Sequence, residues 1–250
     1  MRTHRGKPED LVPTGVPWGV TEGLALILSF KVLQGLLSPL SLVLGEGLVT
    51  HLWVGFVSDA AILVIVVTVV SAAAAASKER GRPARALLGL VRPPGGRLKQ
   101  TLAAVLAGAI AYVAVAHAVT AGLEFFGTNW QELPAQPLSQ LIGEAEGGVV
   151  IVAACFLGIV VAPLTEEVLF RAMLYLPLRA RLGPVAAAVL VGVLFSLCHF
   201  YLPGAAHFFV LSLMFTAVFE CTGSLWVAVV THGAYNGIRI ILLRLAPVLG

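Results

Sequence analysis

An all-α, polytopic transmembrane bundle is what this sequence predicts, on three observations. Apolar residues make up 58% of the 250-residue chain and charged residues 12%, about half the share usual in soluble domains. The apolar residues gather into runs of roughly 20, the length an α-helix needs to cross hydrocarbon while bonding its own backbone. The alternating ten-residue segments of a membrane β-barrel are missing.

Seven spans, within a range of six to eight, are expected at about 20–44, 52–76, 100–125, 148–176, 185–202, 206–222 and 224–247. The first carries Gly35 and Pro39 and reads as broken or tilted. It starts too late, runs too long and lacks the small-residue site of a cleaved signal peptide. Its Lys31 is expected to snorkel or to pair with a carboxylate. The second span ends in the helical tail "SAAAAAS" (71–77), and its Asp59 is expected near the outer surface.

The Pro/Gly-rich basic stretch "RGRPARALLGLVRPPGGRLK" (80–99) divides the chain. Residues 1–99 hold the first spans and a basic loop; residues 100–250 hold the core, with its motifs in 150–245. Lys78, Arg80, Arg82, Arg85, Arg92, Arg97 and Lys99 face only Glu79 in 78–99, whereas 126–147 carries Glu132, Glu144 and Glu146 and no Lys or Arg. The positive-inside rule then places the N-terminus, the basic loop and the 177–184 turn in the cytoplasm and the acidic loop outside. An odd number of spans puts the C-terminus outside. The net charge of +3 gives no sign of a nucleic-acid partner. Cys155, Cys198 and Cys221 all fall within spans without a CxxC pair and read as small apolar residues.

Three polar islands interrupt the apolar C-terminal part. In "EEVLFR", Glu167 and Arg171 are four apart and can pair on one helix face, while Glu166, rotated about 100° away, has no local cation. Pro163 just upstream should kink the helix and free a backbone carbonyl, which suits a wet pocket better than a lipid-facing wall. In "FSLCHF", Phe195 and His199 share a face; in "THGAYNG", His232 and Asn236 do, with Gly233 and Gly237 allowing a close neighbour. Arg239 continues that face and either snorkels outward, the simpler expectation, or meets a carboxylate, one source being a substrate. At about 1.5 Å per residue, Glu166, His199, His232 and Asn236 fall in one slab roughly 10 Å thick. Ionisable groups inside a membrane are functional by default. Clustering at one depth favours a site over the charge ladder of a proton-coupled transporter.

A carboxylate, two imidazoles and an amide around a wet cavity suit attack of water on a peptide carbonyl. Glu166 is the expected general base and His199 steadies the water. His232 and Asn236 donate to the developing oxyanion, and Glu167–Arg171 supports the site. The same Glu166, His199 and His232 also form a possible three-ligand set for one divalent metal such as Zn²⁺, although HExxH is absent. Cys198, beside His199, points away from it on a helix and is set aside as a nucleophile.

"EEVLFR", "FSLCH" and "HGAYN" resemble, in order, the EExxxR, FxxxH and HxxxN signatures of the CPBP family of CAAX-type prenyl endopeptidases and Abi proteins. "TGSLWVAVVTHGAYN" (222–236) also looks like that family's final motif helix. The resemblance covers about 150–245. It implies an intramembrane endopeptidase of a bacterial cytoplasmic membrane, acting on a membrane-associated or lipidated peptide. It assigns water activation to Glu166 and His199 and oxyanion binding to His232 and Asn236. Members are described both as metalloproteases and as metal-independent glutamate proteases, so it leaves the metal open. Ala172 stands where members often have Gly, a change expected to alter packing more than chemistry. A non-catalytic immunity or scaffold protein of the same fold is the competing reading.

Overall fold

The computed structural model describes residues 12–13, 15–39, 48–79, 81–93, 98–127 and 148–249, with the side chains of 48, 104, 123 and 243–249 left aside. Among these residues there is no strand. The helices, in order, are α1 (Val20–Leu37), α2 (Leu48–Ala76), the single turn α3 (Ala84–Leu87), α4 (Leu98–Phe125), the motif helix α5 (Gly148–Leu182), α6 (Pro184–Leu197), α7 (Ala205–Thr222) and α8 (Leu225–Leu249). Six of them are long and apolar enough to cross a membrane: α1, α2, α4, α5, α7 and α8. The chain is an integral membrane, all-α bundle. Most of the acidic connection, with Glu132, Glu144 and Glu146, lies outside the described residues, as do Arg80 and Arg97 of the basic loop.

The span expected at 185–202 is different. It forms α6, only 14 residues long, about 21 Å against a hydrocarbon core of about 30 Å. The chain then turns at 198–200, passes a 3₁₀ turn at Leu202–Gly204 and returns as α7. His199 therefore sits in a turn at the end of a short helix, not inside a span. The turn is tight enough to force Phe200 to φ 49°, a value non-glycine residues seldom adopt.

Proline and glycine mark the other ends. Pro184 opens α6 directly after Gly183, whose φ of 79° ends α5. Gly223, at φ 64°, ends α7 before α8 begins. The 81–93 segment docks on this second turn: the Gly89 carbonyl accepts the Leu225 N–H at 2.8 Å, and the Ser224 hydroxyl donates to the Val91 carbonyl. Leu87 and Leu88 are buried there.

The largest core gathers around the second half of α5, where every residue from Glu167 to Leu178 is buried. Trp18, Leu26, Ile27 and Phe30 reach it from the N-terminal side, Ile62, Val66 and Val70 from α2, and Val191, Phe195, Phe219 and Ala228 from α6, α7 and α8. One core thus runs across the basic 80–99 stretch. The Trp18 indole N–H donates to the Ala172 carbonyl at 3.3 Å, and Gly23 lets α1 approach α5 closely: a Cβ there would lie 2.5 Å from the Met173 carbonyl oxygen.

Gly23→Val should separate α1 from α5 and cost about 1–3 kcal/mol, read as a lower unfolding temperature in detergent. Gly35→Ala, with nothing within 4 Å of the new Cβ, should leave that temperature unchanged or slightly raised.

Candidate active site

The motif helix is not regular. Two π-helical stretches, Leu157–Val161 and Val168–Tyr175, flank the α-helical segment Ala162–Glu167. The first has a traceable cause. The Ala162 N–H bonds back to the Leu157 carbonyl in π register, so the Gly158 carbonyl has lost its α-helical donor. Its π-helical donor would be residue 163, a proline with no N–H. The Asn236 side-chain amide of α8 takes this carbonyl instead, at 2.9 Å. Gly233 makes the approach possible, because any Cβ there would collide with the Ile159 carbonyl oxygen. The freed carbonyl expected from Pro163 is present, and it positions Asn236.

Glu167 and Arg171 are both fully buried and lie 3.1 Å apart. Burying such a pair is tolerable only where further bonds satisfy both members. Arg171 also donates from Nη2 to the Ser212 carbonyl and hydroxyl, each at 2.9 Å. Its guanidinium lies 5.0 Å from the Phe195 ring centre and 5.5 Å from that of Phe215, distances at which aromatic rings attract a cation. The same Glu167 oxygen that meets Arg171 accepts from His232 Nδ1 at 2.9 Å. The His232 ring in turn stacks on Phe215, 4.3 Å between centres. Orientation of the imidazole is therefore set on two sides.

Glu166 points the other way, toward both imidazoles. Its Oε2 lies 3.9 Å from His199 Nε2 and 3.9 Å from His232 Nε2. Unlike Glu167, it keeps 22% of its side-chain exposure, and His199 keeps 17%. The histidine tautomers follow from their other nitrogens. His199 Nδ1 is 2.7 Å from the Phe195 carbonyl, which can only accept, so Nδ1 carries the proton. His232 Nδ1 donates to the Glu167 carboxylate in the same way. In their neutral forms both rings thus direct a bare Nε2 lone pair at the Glu166 oxygen, which has no hydrogen-bond partner of its own among the described residues. Three acceptors converge where a donor is needed. A water molecule, with two protons to give, suits that position.

A divalent metal is a second occupant by donor type, since a carboxylate and two imidazoles with fixed Nδ1 protons are usual ligands. Among the described residues, however, no group of three or more His, Cys, Asp or Glu side chains is preformed to hold an ion. The expected trio Glu166, His199 and His232 comes together, with Glu166 Oε2 3.9 Å from Nε2 of each ring.

Of the seven residues singled out in the sequence, Glu166, Glu167, Arg171, Phe195, His199 and His232 are linked by direct contacts, while Asn236 is held one helical turn from His232 on the Gly158 carbonyl. Phe195 is the hub, edge-on to Phe170 at 5.0 Å and packed on His199 at 4.6 Å and His232 at 6.2 Å. Phe208 stacks on His199, 4.0 Å between centres; this residue, Ser212 and Phe215 all come from α7, whose apolar sequence carries no sign of the role. Asp59 is 3% exposed, with its carboxyl beside the Thr165 hydroxyl and within electrostatic reach of Glu166 and Lys31. Lys31 donates to Gln34 Oε1 at 3.2 Å. Arg239, expected to snorkel outward, is half-buried among tyrosines.

Residues 148–238 match the family model described as Rce1-like, type II CAAX prenyl endopeptidase. No curated protein and no solved structure matches the chain. The matched stretch holds Glu166, Glu167, Arg171, Phe195, His199, His232 and Asn236.

Glu167→Gln should destabilise the bundle by about 3–5 kcal/mol, because it leaves the Arg171 charge buried and unpaired; unfolding in detergent measures it. Glu166→Gln, at a partly exposed position without a cation of its own, should shift stability by less than about 1 kcal/mol in the same assay.

Proposed function

Taking residues 148–238 as a domain of the Rce1-like family of type II CAAX prenyl endopeptidases, to which they belong, we propose that the protein is an intramembrane endopeptidase. It hydrolyses a peptide bond of a membrane-associated or lipidated, CAAX-type peptide, using a water activated by Glu166 and His199. One observation carries the reading: the Glu166 carboxylate stands 3.9 Å from two imidazoles whose Nδ1 protons are held elsewhere.

In the proposed reaction a water sits between Glu166 Oε2 and His199 Nε2. Glu166 takes one proton as the water oxygen bonds to the peptide carbonyl carbon. The carbonyl oxygen becomes an oxyanion, to which Asn236 offers the second N–H of its amide, the first being spent on Gly158. His232 donates from Nε2 only as an imidazolium, a charge that Glu167 faces at 2.9 Å across the ring. The protonated Glu166 then passes its proton to the departing nitrogen as the carbon–nitrogen bond breaks. Atoms and charges balance with no covalent enzyme intermediate. Glu167, Arg171, Ser212 and Phe215 touch no reacting atom; they hold His232. The substrate partner is a peptide reached within the lipid bilayer.

Purified protein with a prenylated CAAX peptide tests the reading. Glu166→Gln and His199→Ala should each lower kcat by at least about a thousandfold while both variants elute as folded protein. Cleavage at the wild-type rate by Glu166→Gln would overturn the proposal. Exhaustive treatment with a chelator separates the two occupants: a rate held within about twofold fits the water reading, and loss of activity restored by Zn²⁺ would assign the trio to a metal instead.

A further inference from the structure

A carboxyl from the second span reaches the site, and the hydrolytic mechanism has no use for it. On α2, Gly55, Asp59, Ile62, Val66 and Val70 recur at intervals of three and four, which puts them on one helix face. Ile62, Val66 and Val70 enter the main core from that face. Gly55 brings it close to α5, since a Cβ there would lie 2.6 Å from Leu157 Cδ2. Asp59 takes a place in this seam where an aliphatic side chain would pack. It is buried, and its Oδ1 has no partner in hydrogen-bond geometry among the described residues. No ion pair joins it to a Lys, Arg or His among them. Its polar surroundings are the Thr165 hydroxyl and, at electrostatic range, Glu166 of α5 and Lys31 of α1; the Lys31 ammonium is bonded to Gln34.

A buried carboxyl short of partners costs free energy, and an apolar residue of similar shape in such a position is often neutral or stabilising. Packing therefore gives no reason for Asp59, whereas the site does. Thr165 immediately precedes Glu166 and is itself wholly buried. A threonine hydroxyl has one proton, and Thr165 gives it to the Val161 carbonyl at 3.1 Å. What its oxygen offers Asp59 is a lone pair. A carboxylate has no use for a lone pair, but a protonated carboxyl donates to it. In that form Asp59 ties α2 to the helical turn that carries Glu166, and it sets no second negative charge beside the base.

We infer that Asp59, as a neutral acid, is a positioning residue for Glu166: it holds the Thr165 turn from α2 and so fixes the carboxylate that activates the water. Asp59 touches no reacting atom and acts through Thr165. It also lies outside the family match at 148–238, so the site assembled by the motif residues is completed from the N-terminal part of the chain. This rests on the hydrolase reading and adds to it a residue that none of the three motifs contains.

The test uses full-length protein and a prenylated CAAX peptide, and follows kcat, KM and the unfolding temperature in detergent together. Asp59→Val replaces the carboxyl with a side chain suited to the apolar seam. It should lower kcat at least about tenfold while KM stays within about twofold, because a misplaced reacting group loses rate without losing substrate. Its unfolding temperature should be unchanged or raised, since an unpartnered buried group has been removed. Asp59→Asn keeps a donor for Thr165 and carries no charge, so its kcat should stay within about threefold of the wild type. A lower unfolding temperature for Asp59→Val would assign the carboxyl to the fold, and wild-type kcat in that variant would leave it no part in the reaction. Either result overturns the inference and leaves the hydrolase reading intact. So does a loss with Asp59→Asn as deep as with Asp59→Val, which would make a negative charge the working feature. Failure of the wild type to cleave the peptide overturns the hydrolase reading, and this inference with it.

Discussion

A charge pair with no access to water governs this bundle. Glu167 and Arg171 are wholly enclosed, and an ion pair in that position depends on further hydrogen bonds and ring contacts around it. Those contacts recruit the rest of the molecule, while Glu167 Oε2 and Arg171 Nε have no partner in hydrogen-bond geometry among the described residues. Ser212 of α7 supplies a carbonyl and a hydroxyl, Phe195 of α6 and Phe215 of α7 supply ring faces, and His232 of α8 supplies an N–H. Three helices are thereby fixed to the motif helix at one height, and the arrangement that satisfies Arg171 is also what turns His232 Nε2 toward Glu166.

Backbone irregularity does the complementary work. A regular α-helix would consume the Gly158 carbonyl; the π turn and Pro163 between them release it, and Gly233 lets α8 come near enough for Asn236 to use it. The usual objection to unpaired backbone inside a membrane is its cost in hydrocarbon. Here the freed group meets a side chain, so the irregular stretch positions a residue at no loss of hydrogen bonding.

Much of this was legible in the sequence because intramembrane charge is scarce and therefore informative. The spacing of Glu167 and Arg171 identified the pair, and the i, i+4 spacing within "FSLCH" and "HGAYN" found residues that share a site. What was illegible has physical reasons too. Phe208, Ser212 and Phe215 lie in an ordinary apolar helix, where nothing distinguishes a ring that stacks on histidine from one that faces lipid. The burial of Asp59 and of Arg239 depends on which helices pack together, and pairing between distant helices leaves no local pattern. The helix ending at Leu197 was read as a longer span because the apolar run continues past its turn, through Phe200, Tyr201 and Leu202.

That short helix has its own consequence. At about 21 Å, α6 stops before the far edge of a bilayer of ordinary thickness, yet the turn that follows shows lipid-compatible faces outward, with Phe200 83% and Leu202 84% exposed. Apolar side chains facing outward let the turn end within hydrocarbon, so the short helix needs no headgroup contact at its His199 end.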